Sequence, residues 1–277
     1  MPSRQTVLLV GGTGRTGRRV LQQLLERGVR VRAIVRSGGR LPLDAAENPD
    51  LTVIEAGLLA LLEEQLQRHP RGCDAVISCL GHVLSLKGIF GPPRDLVTRA
   101  TSRLCRGIEA LRPATPVRFI LMSSVSVERA GGLDVRRGSL ERAFLRVLCG
   151  VLPPAADNQR AADFLQEKIG TSHPFVQWTV VRPDTLLPGE VSGYTLHEGV
   201  VSSLFALAGT NMANVAHFMC ELATNPKTWA EWSARLPVIL NAAAARPAPP
   251  LRQSPTGLSA WRPARRSGDS CKRRGQE

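Results

Sequence analysis

The amino-acid sequence predicts an α/β fold, a doubly wound parallel sheet carried by a single domain, on three observations. Short apolar segments alternate with amphipathic ones from residue 6 to about residue 241, the rhythm of strands joined by helical crossovers. The middle strands are near-continuous apolar runs, as expected where helices cover both sheet faces. The first strand runs straight into regularly spaced glycines and then a helix.

Thr6-Val7-Leu8-Leu9-Val10 is that strand, and Gly11-Gly12-Thr13-Gly14-Arg15-Thr16-Gly17 follows it. The glycines fall as G-x-x-G-x-x-G at 11, 14 and 17 and equally as G-x-G-x-x-G at 12, 14 and 17. One permits the tight turn, one lets backbone approach a pyrophosphate, and Gly17 lets the helix pack on the strand. The helix begins at about Arg15 and carries Val20, Leu21, Leu24 and Leu25 on one face, so its free N–H groups and positive dipole end face the phosphates. A second strand, 29–36, completes a βαβ start. It ends in Arg36, where an acidic residue would hold the ribose diol of NAD. A guanidinium suits a 2′-phosphate, so NADP (NADPH) is the expected cofactor and NAD the less favoured one. Arg15 is a second candidate for that phosphate.

The third strand is Leu51 to Ala56, and Leu58 to Arg68 reads as an amphipathic helix ended by His69-Pro70. The fourth strand is Ala75 to Leu80. A breaker-rich loop over 88–93 leads to a helix from about Arg94 to Leu111, and the fifth strand, Val117 to Met122, runs into Ser123-Ser124. Residues 128–156 read as an Arg/Gly/Pro-rich insertion near the active site, with a helix from about Ser139 to Val151. A helix over Asp157 to Lys168, a sixth strand over Gln177 to Pro183, a helical stretch over Asn214 to Leu222, and the segments 229–232 and 237–241 close the domain. The tail, 242–277, combines alanine, five prolines and clustered arginine with little to bury. It is expected to be a disordered basic extension.

Composition limits the function classes. The formal charge is +13. Eight Lys/Arg against Asp269 and Glu277 place nearly half of it in the tail, and the rest is spread without aromatic interleaving. A specific nucleic-acid partner is therefore not expected. No apolar run approaches the roughly 20 residues of a membrane span, and the chain enters its first strand within a few residues, so neither a span nor a signal peptide is expected. Six scattered cysteines and five unclustered histidines predict reduced thiols, no metal site and a cytoplasmic location.

The glycine loop, Arg36, Ser123-Ser124 and Trp178-Thr179-Val180-Val181-Arg182-Pro183 together resemble the atypical short-chain dehydrogenase/reductases. The nearest branch is the NAD(P)H-binding NmrA-like and flavin reductase (biliverdin reductase B)-like proteins, over residues 5–241. The resemblance implies a Rossmann-like fold in which Gly11, Gly12, Thr13, Gly14, Arg15, Thr16 and Gly17 wrap the pyrophosphate and Arg36 binds the 2′-phosphate. It further implies that Leu80 and Gly81 line the ribose, Ser123 and Ser124 sit beside the nicotinamide, and Pro183 to Thr185 contact the carboxamide. Many relatives carry an adenine-binding Asp after the third strand, where this chain reads Gly57-Leu58-Leu59. That departure predicts weaker cofactor affinity.

A second departure concerns chemistry. Family dehydrogenases use a Tyr-x-x-x-Lys pair to pass a proton to the substrate oxygen. Here the one tyrosine, Tyr194, has Glu198 four residues on, and Phe164-x-x-x-Lys168 keeps the spacing without a hydroxyl. Ser124 is a candidate catalytic group, either bonding a substrate carbonyl or capping the turn after the fifth strand. His82, past the fourth strand, is a candidate proton donor; Asp157 and Asp163 lie on the helix that would carry the missing pair, Asp163 facing solvent or a neighbouring arginine. The expected function is flavin-reductase-like hydride transfer from NADPH to a planar small-molecule acceptor, with the proton taken from water. The alternative is a non-catalytic, NmrA-like dinucleotide-binding redox sensor. Oligomeric state is not legible.

Overall fold

A computed structural model describes residues 4–42, 45, 47–82, 91–130, 143, 147, 152–201 and 209–242, within a compact unit, Met1–Ala242. Most of the expected 128–156 insertion, with its helix over 139–151, and the tail beyond Ala242 lie outside the described residues. The strands are β1 (Thr6–Val10), β2 (Arg30–Val35), β3 (Leu51–Glu55), β4 (Ala75–Ser78), β5 (Val117–Met122), β6 (Val176–Pro183), β7 (Thr185–Leu187), β8 (Tyr194–His197), β9 (Gly209–Asn211) and β10 (Val238–Asn241). The helices are α1 (Arg15–Glu26), α2 (Glu63–Arg68), α3 (Leu96–Leu111), α4 (Pro153–Asp163), α5 (Met212–Thr224) and α6 (Pro226–Trp232).

Eight strands form one sheet in the order β3-β2-β1-β4-β5-β6-β10-β8, while β7 and β9 pair separately. Every pairing in the large sheet is parallel except β10 with β8. The expected doubly wound sheet is therefore present. Successive residues of β1 serve opposite cores, because side chains alternate across a strand. Val7 and Leu9 pack with Leu21 and Leu24 of α1 and Phe218 and Met219 of α5. Leu8 and Val10 pack with Leu66 of α2, Leu104 and Ile108 of α3, and Leu165. Chain order reverses between β1 and β4, and open α/β sheets bind ligands at the carboxyl ends of strands at such a switch point.

Three elements differ from expectation. The helix expected over 58–68 forms only at Glu63–Arg68. The N–H groups of Ala60 and Leu61 turn back to the Gly57 carbonyl, and Arg103 of α3 captures the carbonyls of Leu58 and Leu61. A tertiary cation thus takes the acceptors a helix would use. The helix expected over 157–168 starts earlier, at Pro153, and is π-helical over Phe164–Ile169. Strands β7, β8 and β9 span three or four residues each, too few for a period-2 signal to register.

Candidate functional site

The turn after β1 is built to let backbones touch. Gly11 has φ +79°, and a Cβ there would lie 2.6 Å from the Cys79 carbonyl carbon and oxygen. A Cβ on Gly17 would lie 2.1 Å from the Gly11 oxygen. These two glycines close the loop against the chain leaving β4 and against α1. Gly14 differs: its backbone is extended, φ −75° and ψ 166°, and a Cβ there would meet only the Gly11 oxygen, at 3.3 Å. Its N–H donates to that same oxygen at 3.0 Å, while its own carbonyl accepts from Arg18. Gly12 and Thr16 are buried and Thr13 is half-buried. Gly14 caps α1 without any side-chain hydrogen bond, and the first turn holds no acidic residue. The cradle a side chain would fill therefore fits a pyrophosphate on the amide-rich helix end.

Arginines rim this cradle. Arg15 and Arg36 are both exposed. Arg18 donates to the Arg40 carbonyl at 3.1 Å, tethering the short 3₁₀ turn Gly38–Arg40 after β2 to the first turns of α1. Glu55, at the end of β3, is occupied by the Gly38 N–H at 2.7 Å. The carbonyl tether through Arg18 was not legible, since it depends on how the turn after β2 folds back.

At the carboxyl ends of β4, β5 and β6 stand the other residues singled out from the sequence. Leu80 is half-buried and Gly81 exposed. The Ser123 side chain is buried with its Oγ unpartnered, as is Ser78 at the end of β4, so two hydroxyls face the interior with hydrogen-bonding capacity unused. Ser124 Oγ shares a 2.6 Å hydrogen bond with Ser126 Oγ and accepts from the Ser126 N–H at 3.3 Å, the geometry of a turn-capping hydroxyl. The Pro183 carbonyl accepts the Val125 N–H at 3.1 Å, binding the β5 and β6 exits together.

Two residues considered separately in the sequence meet. His82 Nε2 lies 2.9 Å from Asp157 Oδ2. Asp157 is fully buried and also accepts the N–H groups of Val97 and Thr98 at 2.8 and 3.0 Å and the Thr98 hydroxyl at 2.6 Å. The carboxylate thereby closes the N-terminus of α3. Sequence reasoning placed each on its element, but their juxtaposition needs the fold.

The remaining candidates are set aside by geometry. Tyr194 sits on the antiparallel edge strand, with its hydroxyl 2.9 Å from His217 Nδ1. Burial, then Glu221, push its pKa up against the pull of Arg27, the reverse of what a proton-transferring tyrosine needs. Asp163 is half-buried and accepts from Gln159 at 2.8 Å, so its partner is a neighbouring amide and not the expected arginine; burial raises its pKa first of all. Lys168 is exposed on the π-helical turn, where residues four apart no longer share a face. Cys73, Cys79, Cys105 and Cys220 are free and buried, and burial holds their thiols above the ordinary range, Cys73 at about 11. Among the described residues no helix is long and apolar enough to cross a membrane. A concavity of about 540 Å³ lined by Arg71, Asp74, Pro113 and Arg118 opens at the amino ends of the strands, away from the switch point, and we do not assign it to the dinucleotide.

Arg182 does more than mark the Arg-Pro turn at the end of β6. Arg182, fully buried, donates through Nε to the Leu236 carbonyl and through a terminal nitrogen to that of Val127, both at 2.9 Å, and reaches the Glu198 carbonyl at 3.4 Å. One guanidinium thus holds the chain after β5, after β8 and before β10.

Comparison with known proteins agrees with this geometry. The model of a family described as NAD(P)H-binding matches residues 11–226. An uncharacterized chloroplastic protein of Arabidopsis thaliana is 27% identical over 209 residues, 71% of this chain and 67% of its own length. An oxidoreductase of Lactococcus lactis superposes with TM-score 0.61 at 18% identity, over 87% of this chain and 93% of that one. A Streptococcus pneumoniae protein named as an NADH-flavin reductase gives 0.59 at 18%, over 86% and 100%. A short-chain dehydrogenase/reductase of Veillonella parvula solved with NADP gives 0.62 at 12%, over 86% and 95%.

Proposed function

Because this chain belongs to the NAD(P)H-binding family, we propose that it prefers NADPH to NADH and passes hydride to a planar acceptor such as a flavin, quinone or tetrapyrrole. The observation that carries the cofactor preference is Arg36, exposed at the end of β2, while the neighbouring Glu55 is engaged by Gly38. The guanidinium offers a charge-assisted partner to a 2′-phosphate, and the Glu55 carboxylate beside it already accepts the Gly38 N–H through one of its oxygens. Gly11 to Gly17 would hold the pyrophosphate, with Ser123, Ser124, Leu80, Gly81 and Pro183 lining the nicotinamide side. Bound NADPH would supply the hydride; the protein binds, orients and excludes water. The Streptococcus protein's name accords with a flavin acceptor, though it names NADH, and the Veillonella protein was solved with NADP; a cytoplasmic location is part of the proposal.

Calorimetry with NADPH and NADH, beside NADPH oxidation against a panel of flavins and quinones, tests it. A charge-assisted contact is worth about 1.5–3 kcal/mol, so a preference of about tenfold or more is expected, and Arg36→Ala should abolish it. Equal affinities would overturn the preference. Tight binding with no turnover on any acceptor would favour the redox-sensor reading instead.

A further inference from the structure

We propose that His82, oriented by Asp157, delivers the proton to the carbonyl oxygen of a quinone-type acceptor, in place of the absent tyrosine–lysine pair. The inference rests on the hydride-transfer reading above and replaces water as its proton source.

Three features of the fold place the pair where that chemistry would occur. The chain leaving β4 passes against the glycine loop, since a Cβ on Gly11 would strike Cys79, and His82 follows three residues later. Strand alternation puts Ser78 and Ser123 on the face of Val76 and Leu121, the face that packs with α3 and α4 residues, and it is α3 and α4 that supply the groups around His82. Both serine hydroxyls are buried without partners. The carboxyl ends of β4 and β5 thus bury two unsatisfied hydroxyls on the sheet face that α3 and α4 cover.

The electrostatics of Asp157 decide which nitrogen works. Val97 N–H, Thr98 N–H and the Thr98 hydroxyl already converge on its two oxygens, so the group is an acceptor and the proton shared with His82 resides on Nε2. Nδ1 is left as the working nitrogen, without a partner among the described residues. The side chain of His82 is only 5% exposed, which restricts competing water. A carboxylate that fixes tautomer and ring orientation in this way is a positioning group.

The step balances. Protonated His82 gives its Nδ1 proton to the acceptor oxygen on which charge collects as hydride arrives from NAD(P)H. The nicotinamide C–H bond breaks, a C–H bond forms on the quinone ring, the displaced π pair moves to oxygen, and the new O–H bond forms there. Quinone, hydride and proton together yield the hydroquinone after tautomerisation; NAD(P)⁺ and neutral His82 remain, and solvent restores the imidazolium.

The test uses the full chain with 1,4-naphthoquinone and NADPH. His82→Gln should lower turnover about a hundredfold, within the general-acid range, while the calorimetric Kd for NADPH stays within about twofold, a difference smaller than one ordinary hydrogen bond. Independently of turnover, ¹⁵N resonances of His82 in the cofactor-free protein should report the Nε2–H tautomer, giving way to a mixture in Asp157→Asn. Undiminished turnover in His82→Gln, or an Nδ1–H tautomer in the unsubstituted protein, overturns the relay and leaves the hydride-transfer reading standing. Failure of the unsubstituted protein to oxidise NADPH with any quinone or flavin overturns that reading, and the relay with it.

Discussion

At the scale of single residues, the glycines of the turn do separable work. Gly17 has no room for a methyl group, because the nearest atom would be a backbone oxygen at 2.1 Å that no side-chain rearrangement can move. Gly17→Ala is therefore expected to destabilise the fold by about 3 kcal/mol or more, the upper range for overpacking. Gly14 has an ordinary backbone, and a Cβ there would press on one backbone oxygen, that of Gly11 at 3.3 Å, which has only to give by a few tenths of an ångström, so Gly14→Val should keep the melting temperature within a few degrees yet lose NADPH binding, its branches occupying the pyrophosphate position. Thermal melts with parallel titrations separate the two; a Gly14→Val that binds normally would move the pyrophosphate elsewhere. Arg182 makes a third case. Lysine keeps its charge and loses the fork that reaches several carbonyls at once, so Arg182→Lys should cost about 2–3 kcal/mol in chemical denaturation, two charged hydrogen bonds being strained or lost.

At the scale of elements, the edge strand β8 is pinned to α5 by the hydrogen bond between Tyr194 and His217 and by the T-shaped packing of their rings. With the imidazole proton on Nε2, Nδ1 accepts the phenolic proton, an arrangement that protonation of the ring removes. Burial, and then Arg27, hold the pKa of His217 below its ordinary 6.5, against an opposing pull from Glu221. The unfolded chain thus takes up the proton more readily than the folded one. The stabilising contribution is complete above about pH 6.5 and is lost as pH falls from there through the lowered folded value. His69 is shifted the same way, by burial and then Arg32 and Arg68, so the unmodified protein alone cannot separate the two. In His217→Gln the drop in melting temperature between about pH 7 and about pH 5 should shrink, because one of the two histidines whose pKa folding lowers is then gone. An identical drop would assign the acid sensitivity elsewhere. Tyr194→Phe should retain most NADPH-dependent turnover, since this phenol serves packing at the sheet edge.

At the scale of the whole molecule, each sheet face carries its own core, and residues 1–242 form one compact unit. The Ala242 N–H still donates to the Gly193 carbonyl at 2.8 Å. The basic tail beyond it has a composition that cannot build a core. A chain ending at Ala242 is expected to melt within a few degrees of the full chain and to bind NADPH equally. Aggregation of the shortened protein would show instead that the tail covers part of the domain.

The βαβ start, the glycine turn and the order of the long elements were determined by the sequence alone. Their signals are local: apolar runs of strand length, a 3.6-residue stripe on α1, and glycines where backbones must touch. Arg36 at the end of β2 was legible for the same reason, a residue type at a position counted along one strand. Tertiary structure decided what depends on distant segments meeting. Arg103 reaches back from α3 and turns a would-be helix into a loop; Arg182 gathers three chain segments; the short strands β7 to β9 exist only by pairing. Above all, His82 and Asp157 lie 75 positions apart and come within 2.9 Å because the chain leaving β4, the start of α3 and α4 meet at that carboxylate. Spacing along a chain cannot encode that contact, since it is created by the packing of three elements and by the burial that makes a four-donor carboxylate stable.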